Sequence, residues 1–389
     1  ILCTSLHSVI SNFDVRAEPF LTGLLIASIY YFYEYSRQHK IKHLVLGSLF
    51  CAFAIMTKGM FAIIPVAAAL GGEFLMKQQW KRLFDPYWLL AIFFILIFIT
   101  PELYTLYHQF DSHPEKVIFG KTKVSGIRFF FWDSQFGRFF NTGPIKGKGD
   151  IFFFIHTVLW AFLPWAIAFY IATFLKLKNI IKKSRARQEE YFSLFAVLST
   201  FILFSLSKFQ LAHYMNIVFP FMAIITANFI VKLQTNYKPF EKMFRGSQWF
   251  VISLVALSIP TLYYIQNPEI NLYFILVLGI AFLLLYLVKT STSLSTIKKL
   301  FYYSAVSYCV LYGYLLTHFY PTLLSYQGYT QAARYINKTI DDKTVYFINN
   351  KIGFDYELYT NTSYKSITLP NSDIKSGDLF LINKANGFA

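Results

Sequence analysis

The chain has 389 residues, of which 56% are hydrophobic, 20% aromatic and only 14% charged. Soluble domains carry about 25% charged residues, so a water-soluble domain, a disordered chain and a collagen-like fibre are all excluded. The net charge of +16 would suggest nucleic acid in a soluble protein. Here the basic residues cluster between apolar runs, as in an integral membrane protein that meets anionic lipid, and no nucleic-acid partner is expected.

A helix needs roughly 17–25 apolar residues to cross about 30 Å of hydrocarbon. In chain order the sequence offers Pro19–Tyr35, Tyr87–Leu103, Ile151–Leu175, Tyr214–Val231, Gln248–Tyr264, Asn271–Val288 and Leu300–Phe319, with Tyr191–Ser205 as a shorter candidate. The run His43–Met76 is too long for one crossing and is interrupted at Thr57-Lys58-Gly59. It divides into two short helices there, which makes ten membrane segments. The loops Ser36–Lys42, Lys77–Leu83, Lys176–Glu190, Lys232–Arg245 and Lys289–Lys299 hold 19 of the 36 basic residues. The alternate turns hold one each at Arg16, Lys58 and Lys208, and none at Gln266–Ile270. By the positive-inside rule the basic loops are cytoplasmic. Asp14, Arg16, Glu18, Lys58, the loop Tyr104–Asp150, Lys208, His213 and the tail then share the external face. Ionisable groups at membrane depth cost ~2.5–3.5 kcal/mol each, so their convergence points to a polar cavity. From Tyr320 the pattern changes: Gln327–Ile340 has helical periodicity, and Thr344–Asn349 and Asp378–Asn383 read as strands. A small external α/β domain over 320–389 is expected to follow a membrane domain over 1–319.

Four clusters carry candidate chemistry. Asp14 and Glu18 lie four apart, which on a helix puts both on one face and Arg16 on another. They read either as an interfacial collar or as carboxylates lining a cavity for an acceptor, a sugar or a divalent cation. Lys58, at the helix break, reads either as a snorkelling lysine or as a point charge for a phosphate. The segment Phe129–Phe140 mixes aromatics with Asp133 and Arg138. It fits the interface plane, as an anchor or as a bidentate phosphate ligand at Arg138. Phe204–Tyr214 gathers Ser205, Ser207, Lys208, His213 and Tyr214, either as a plain hairpin turn or as part of the cavity. His39 and His43 have metal-like spacing, but Arg37, Lys40 and Lys42 would repel a cation. Cys3, Cys51 and Cys309 lie in apolar stretches and read as core thiols. No nucleotide-binding glycine pattern occurs, so a donor other than a soluble nucleotide is expected. The sequence opens at Ile1 with no charged n-region, so no signal peptide is recognised and a fragment is expected.

These clusters resemble the polyprenyl-phosphate-dependent membrane glycosyltransferases of the GT-C type, in the branch of the lipid A aminoarabinose transferase and the protein O-mannosyltransferases. The likeness covers most of Ile1–Leu233. It rests on Asp14 with Arg16 and Glu18 opening a membrane helix, and on Thr57-Lys58-Gly59. It rests also on Gln135-Phe136-Gly137-Arg138-Phe139 followed by Leu163-Pro164-Trp165, and on Ser205-Leu206-Ser207-Lys208 through His213-Tyr214 to Phe219-Pro220. Two departures stand out: Ala212 replaces the usual proline, and the family's main acidic pair, in its first external loop, is expected upstream of Ile1.

The resemblance implies an all-α polytopic GT-C bundle with a small external α/β domain, and transfer of a sugar from a polyprenyl-phosphate donor to a lipid, glycan or protein acceptor. It implies a bacterial inner membrane location with the site facing the periplasm. Asp14 and Glu18 would be supporting carboxylates, Lys58, Arg138 and Lys208 the phosphate side, and Arg16, His213 and Tyr214 the cavity wall. No cofactor is implied beyond an optional divalent ion. The rival class is a lipid or polysaccharide transporter, which would show discontinuous helices in repeated halves, whereas the sequence shows one break.

Overall fold

The computed structural model describes residues 1–14, 16–143, 145–182, 189–339, 344–348, 353–367 and 379–381. Nine of the ten expected membrane segments are helical, and the tenth, Ile151–Leu175, is broken. Among the described residues, Ile41–Lys58, Trp80–Asp111, Ala212–Val231, Lys238–Gln266 and Leu272–Thr290 are long and apolar enough to cross a membrane. Met60–Met76 and Phe192–Leu206 are shorter apolar helices. Leu89, Leu257 and Phe282 are each at least 70% exposed, an outward apolar surface that suits hydrocarbon rather than water.

The chain divides into two compact units, Ile1–Leu262 with Ile280–Val310, and Tyr263–Gly279 with Leu311–Ala389. In the first, helix Glu18–Gln38 packs on Ile41–Lys58, where Gly47 leaves room for the Phe32 ring. Ser28 Oγ donates to Gly47 O (3.0 Å), and Ser48 Oγ donates to Ala91 O (3.1 Å), joining three helices through small residues. Such polar links hold membrane helices together where lipid offers no competing partner. Helix Ile63–Met76 lies on Phe192–Leu206, with Gly72 receiving the Phe195 ring. Buried Glu73 pairs with Lys77 there and accepts the Tyr191 N–H at 2.6 Å.

One expected span is corrected. Ile151–Leu175 is not a continuous helix but Phe153–Ala161 and Ala166–Ile181, separated at Phe162-Leu163-Pro164-Trp165. Pro164 has no N–H to offer and disfavours helical geometry at Leu163. The carbonyls that the break releases find partners. Leu163 O accepts Leu6 N–H (2.9 Å) and Pro164 O accepts the Gln248 amide (3.2 Å). Fully buried Trp165 donates its Nε1–H to Thr4 Oγ1 (2.9 Å). The thiols also differ from expectation. Cys51 is buried, but Cys3 and Cys309 are exposed, because the apolar stretches that carry them present those positions outward.

The second unit contains helix Gly328–Thr339 and strands β1 (Val345–Ile348), β2 (Tyr364–Ile367) and β3 (Leu379–Leu381), all parallel in the order β2-β1-β3. Ala333, Ile336, Val345, Phe347 and Tyr356 form its core. β1 and β3 fall within the strands expected from sequence. β2 and helix Phe354–Tyr359 do not appear in the sequence reading, since Tyr364-Lys365-Ser366-Ile367 has too few apolar residues to stand out. The ends expected at Ile340, Asn349, Asp378 and Asn383 lie outside the described residues.

Candidate functional site

The site is organised by where one helix starts and another stops. Pro19 fits only the first turn of a helix, so the helix begins at Glu18. Asp14 therefore lies outside it with extended backbone (φ −112°, ψ 140°). This corrects the shared helical face expected of Asp14 and Glu18. Asp14 turns instead to Arg16, accepting its Nε–H at 2.6 Å. Glu18 is 2% exposed and bonds to Lys58 Nζ. A carboxylate so buried requires a partner. Lys58 can reach it because its helix ends there, at Gly59 (φ 95°, ψ −178°), a conformation that only glycine adopts readily.

His213 completes the cluster. It is buried, with Nδ1 2.7 Å from Arg16 Nη1 and Nε2 3.5 Å from Glu18 Oε1. Arg16 Nη1 also lies 3.1 Å from His213 Nε2, so the guanidinium, which can only donate, faces the edge of the imidazole ring. Glu18 thus joins Lys58 directly and reaches toward Arg16 through His213. The Lys58 ammonium also stands 5.0 Å from the Tyr214 ring centroid, a cation–π contact.

The loop before Asp150 folds onto the same break. Gln135 Nε2 donates to Lys58 O (3.2 Å), and a Cβ on Gly59 would lie 2.2 Å from that amide. Phe136 and Phe139 meet Phe61 edge-on. Arg138 packs its guanidinium 5.6 Å from the Phe209 ring, and its Nε is a buried donor with no partner among the described residues. Lys208 is exposed, with no ion pair among the described residues. Its backbone N–H donates to Phe139 O (3.1 Å), while Gly147 and Gly149 run close over Lys208 and Phe209.

The structure thus joins Arg16, Glu18, Lys58, His213 and Tyr214 in one contact set, and joins Arg138 to the neighbouring Phe209. Two features are absent from the sequence reading. Gln135 secures the break, a role that its place beside the Arg-Phe motif could have suggested. A cavity of about 480 Å³ runs from Arg16 and Thr57 along Ala17, Phe20, Leu24, Phe53 and Met56. Its apolar wall has no sequence signal, since such residues look the same on any lipid-facing helix. Among the described residues, no group of three His, Cys, Asp or Glu side chains converges to hold a metal.

Behind the cluster lies a polar clasp. Asn216 Nδ2 donates to Ser11 Oγ (3.0 Å), and His7 Nδ1 donates to Asn216 Oδ1 (2.9 Å). Burial holds the His7 imidazole below its usual range, partly offset by the Asn216 bond. Protonation is therefore tighter in the unfolded chain, and stability is lost as pH falls below about 6.5. Thermal unfolding in detergent at stepped pH should show this acid loss, and His7→Gln should blunt it. An unchanged acid limb in the variant would assign it to other groups.

The chain, a helical bundle broken after Lys58 with a small α/β unit, has a GT-C fold. In particular, it is similar to ArnT from Cupriavidus metallidurans. The crystal structure bound to undecaprenyl phosphate matches with a TM-score of 0.66 at 16% identity, over 95% of this chain and 66% of that one. The apo crystal structure matches at 0.59, also 16% identical, over 94% and 64%. An uncharacterized protein of Aquifex aeolicus (strain VF5) is 25% identical over 243 residues, which are 62% of this chain and 43% of that protein. The chain thus spans less than half of the Aquifex protein and just under two thirds of ArnT. No protein-family model matches.

Proposed function

We propose that the protein to which this chain belongs transfers a sugar from a polyprenyl-phosphate carrier to a lipid, glycan or protein acceptor. The observation that carries this reading is an apolar cavity (Phe20, Leu24, Phe53, Met56) that Arg16 also lines, with Arg16 linked through His213 to the Glu18–Lys58 pair. An amphipathic carrier needs that junction, with hydrocarbon along the groove and phosphate at its cationic end. The ArnT structure solved with undecaprenyl phosphate shares the fold, which supports the same class of ligand.

On this reading the carrier phosphate draws on Lys58 and Arg16, with Arg138 and Lys208 supplying further positive charge. As the acceptor oxygen bonds to the anomeric carbon, the carbon–oxygen bond to phosphate breaks and the leaving phosphate gains negative charge. Fixed cations stabilise that charge without reorganising. The acceptor's proton passes to a carboxylate base. Glu18, released by Lys58, and Asp14, held by Arg16, are the carboxylates at hand to orient the acceptor or assist the base. The basic loops support a multi-pass inner-membrane protein whose site and tail face the periplasm.

The test is the full-length protein in nanodiscs with a polyprenyl-phosphate-linked sugar, following release of polyprenyl phosphate. Arg16→Gln should raise the donor KM about tenfold, the loss expected for one charge-assisted phosphate contact. No turnover with any carrier-linked sugar by the intact protein would contradict the proposal.

A further inference from the structure

The segment between Tyr107 and Lys146 encloses a second polar cavity, of about 700 Å³, which the reading above does not use. Lys121, Lys123, Arg128 and Lys146 line it, with Asp133 as its carboxylate. Asp133 is weakly engaged by Arg128 (Nε to Oδ2, 3.8 Å), and the three lysines make no ion pair among the described residues. Four cations around one cavity with a single carboxylate leave an unbalanced positive field, which a concave wall focuses.

The backbone that carries these cations is closely specified. Ile118 and Lys121 exchange backbone hydrogen bonds (2.8 and 3.0 Å) across a turn in which Phe119 and Gly120 have φ of +51° and +74°. Lys123 also has positive φ, +57°, and donates its N–H to Pro114 O (2.9 Å). Left-handed geometry is unfavourable for phenylalanine and lysine and persists where surroundings enforce it, often at ligand sites. Asp111 accepts the Gly126 N–H (2.9 Å), and Ser125 Oγ accepts that of Arg128 (3.2 Å), fixing the far wall. Phe119 stacks on Phe129 at 5.7 Å, giving the cavity an aromatic side.

We propose that this cavity is a second anion site, distinct from the Lys58 cluster, which binds a phosphate-bearing polar group carrying more than one negative charge. Lys121, Lys123 and Lys146 contact its oxygens as point charges, and Arg128 offers a planar fork once it leaves Asp133. The volume suits a headgroup or sugar phosphate rather than a bare ion. The stacked Phe119–Phe129 pair supplies apolar area for the uncharged part of such a group. The proposal stands on this cavity alone and does not depend on glycosyl transfer.

The experiment is calorimetric titration of the full-length protein, in uncharged detergent, with inorganic pyrophosphate. Wild type should bind it with an affinity that falls as salt rises. Lys121→Gln/Lys123→Gln/Lys146→Gln should weaken binding by about tenfold or more. All three lysines are exposed, so the thermal midpoint should hold. Lys178→Gln, exposed and outside both this cavity and the Lys58 cluster, should leave pyrophosphate binding intact. Competition then identifies the source. Displacement by a soluble hexose phosphate indicates a sugar phosphate, and displacement by phosphatidylglycerol nanodiscs but not phosphatidylcholine ones indicates a lipid headgroup. Absence of binding in wild type, equal binding by the triple variant, or displacement by neither competitor would overturn the proposal.

Discussion

Replacing Lys58 with methionine should destabilise the folded protein by about 3 kcal/mol, the cost typical of leaving one buried ion of a pair without its partner. The effect follows from Glu18, which is 2% exposed and bonded to the Lys58 ammonium. His213, 3.5 Å away and already engaged by Arg16, is a poor substitute for that cation. Glu18→Gln combined with Lys58→Met should recover much of the loss, because no buried charge then remains unpaired. Denaturation in detergent with a double-mutant cycle measures the coupling directly. Purely additive effects would mean that Lys58 acts as an interfacial lysine and that Glu18 is hydrated.

Gly59→Ala should be at least as damaging, and for a different reason. The residue sits at φ 95°, ψ −178°, a region that costs of order 1–3 kcal/mol for a residue with a Cβ. That Cβ would also lie 2.2 Å from the Gln135 side chain. Gln135 would have to release Lys58 O, and the aromatic contacts of Phe136 and Phe139 with Phe61 would go with it. We expect a lower thermal midpoint together with weaker carrier binding, since the break positions Lys58. Gln135→Ala in the same chain should relieve the clash but not the backbone strain, giving partial rescue. A Gly59→Ala protein with normal stability would show that the break tolerates an ordinary helical turn.

The sequence alone revealed the membrane bundle because apolar runs and basic loops are direct physical consequences of spanning a bilayer. It also revealed the helix break, since Lys and Gly interrupt an apolar run at Thr57-Lys58-Gly59. What it could not supply was pairing. Nothing in the spacing says that Glu18 meets Lys58, 40 residues away, or that Arg16 meets His213, 197 residues away. The helical spacing of Asp14 and Glu18 misled because Pro19 moved the helix start past Asp14. Similarly, the apolar run around Leu163-Pro164-Trp165 looked continuous although Pro164 ends the preceding helix. The apolar wall of the cavity was invisible for a general reason: hydropathy cannot separate side chains that meet lipid from those that meet a bound prenyl chain.

The most direct test of the account is photocrosslinking of the full-length protein in nanodiscs with a polyprenyl phosphate bearing a photoreactive group in its prenyl chain. Labelled peptides identified by mass spectrometry should fall at Phe20, Leu24, Phe53 and Met56, which line the groove below Arg16. Excess undecaprenyl phosphate should suppress the labelling, and Lys58→Gln should reduce it. Labelling confined to the separate apolar cavity around Phe32, Val66, Phe74 and Trp88, or labelling indifferent to competitor and to Lys58, would contradict carrier binding at the Arg16–Lys58 cluster.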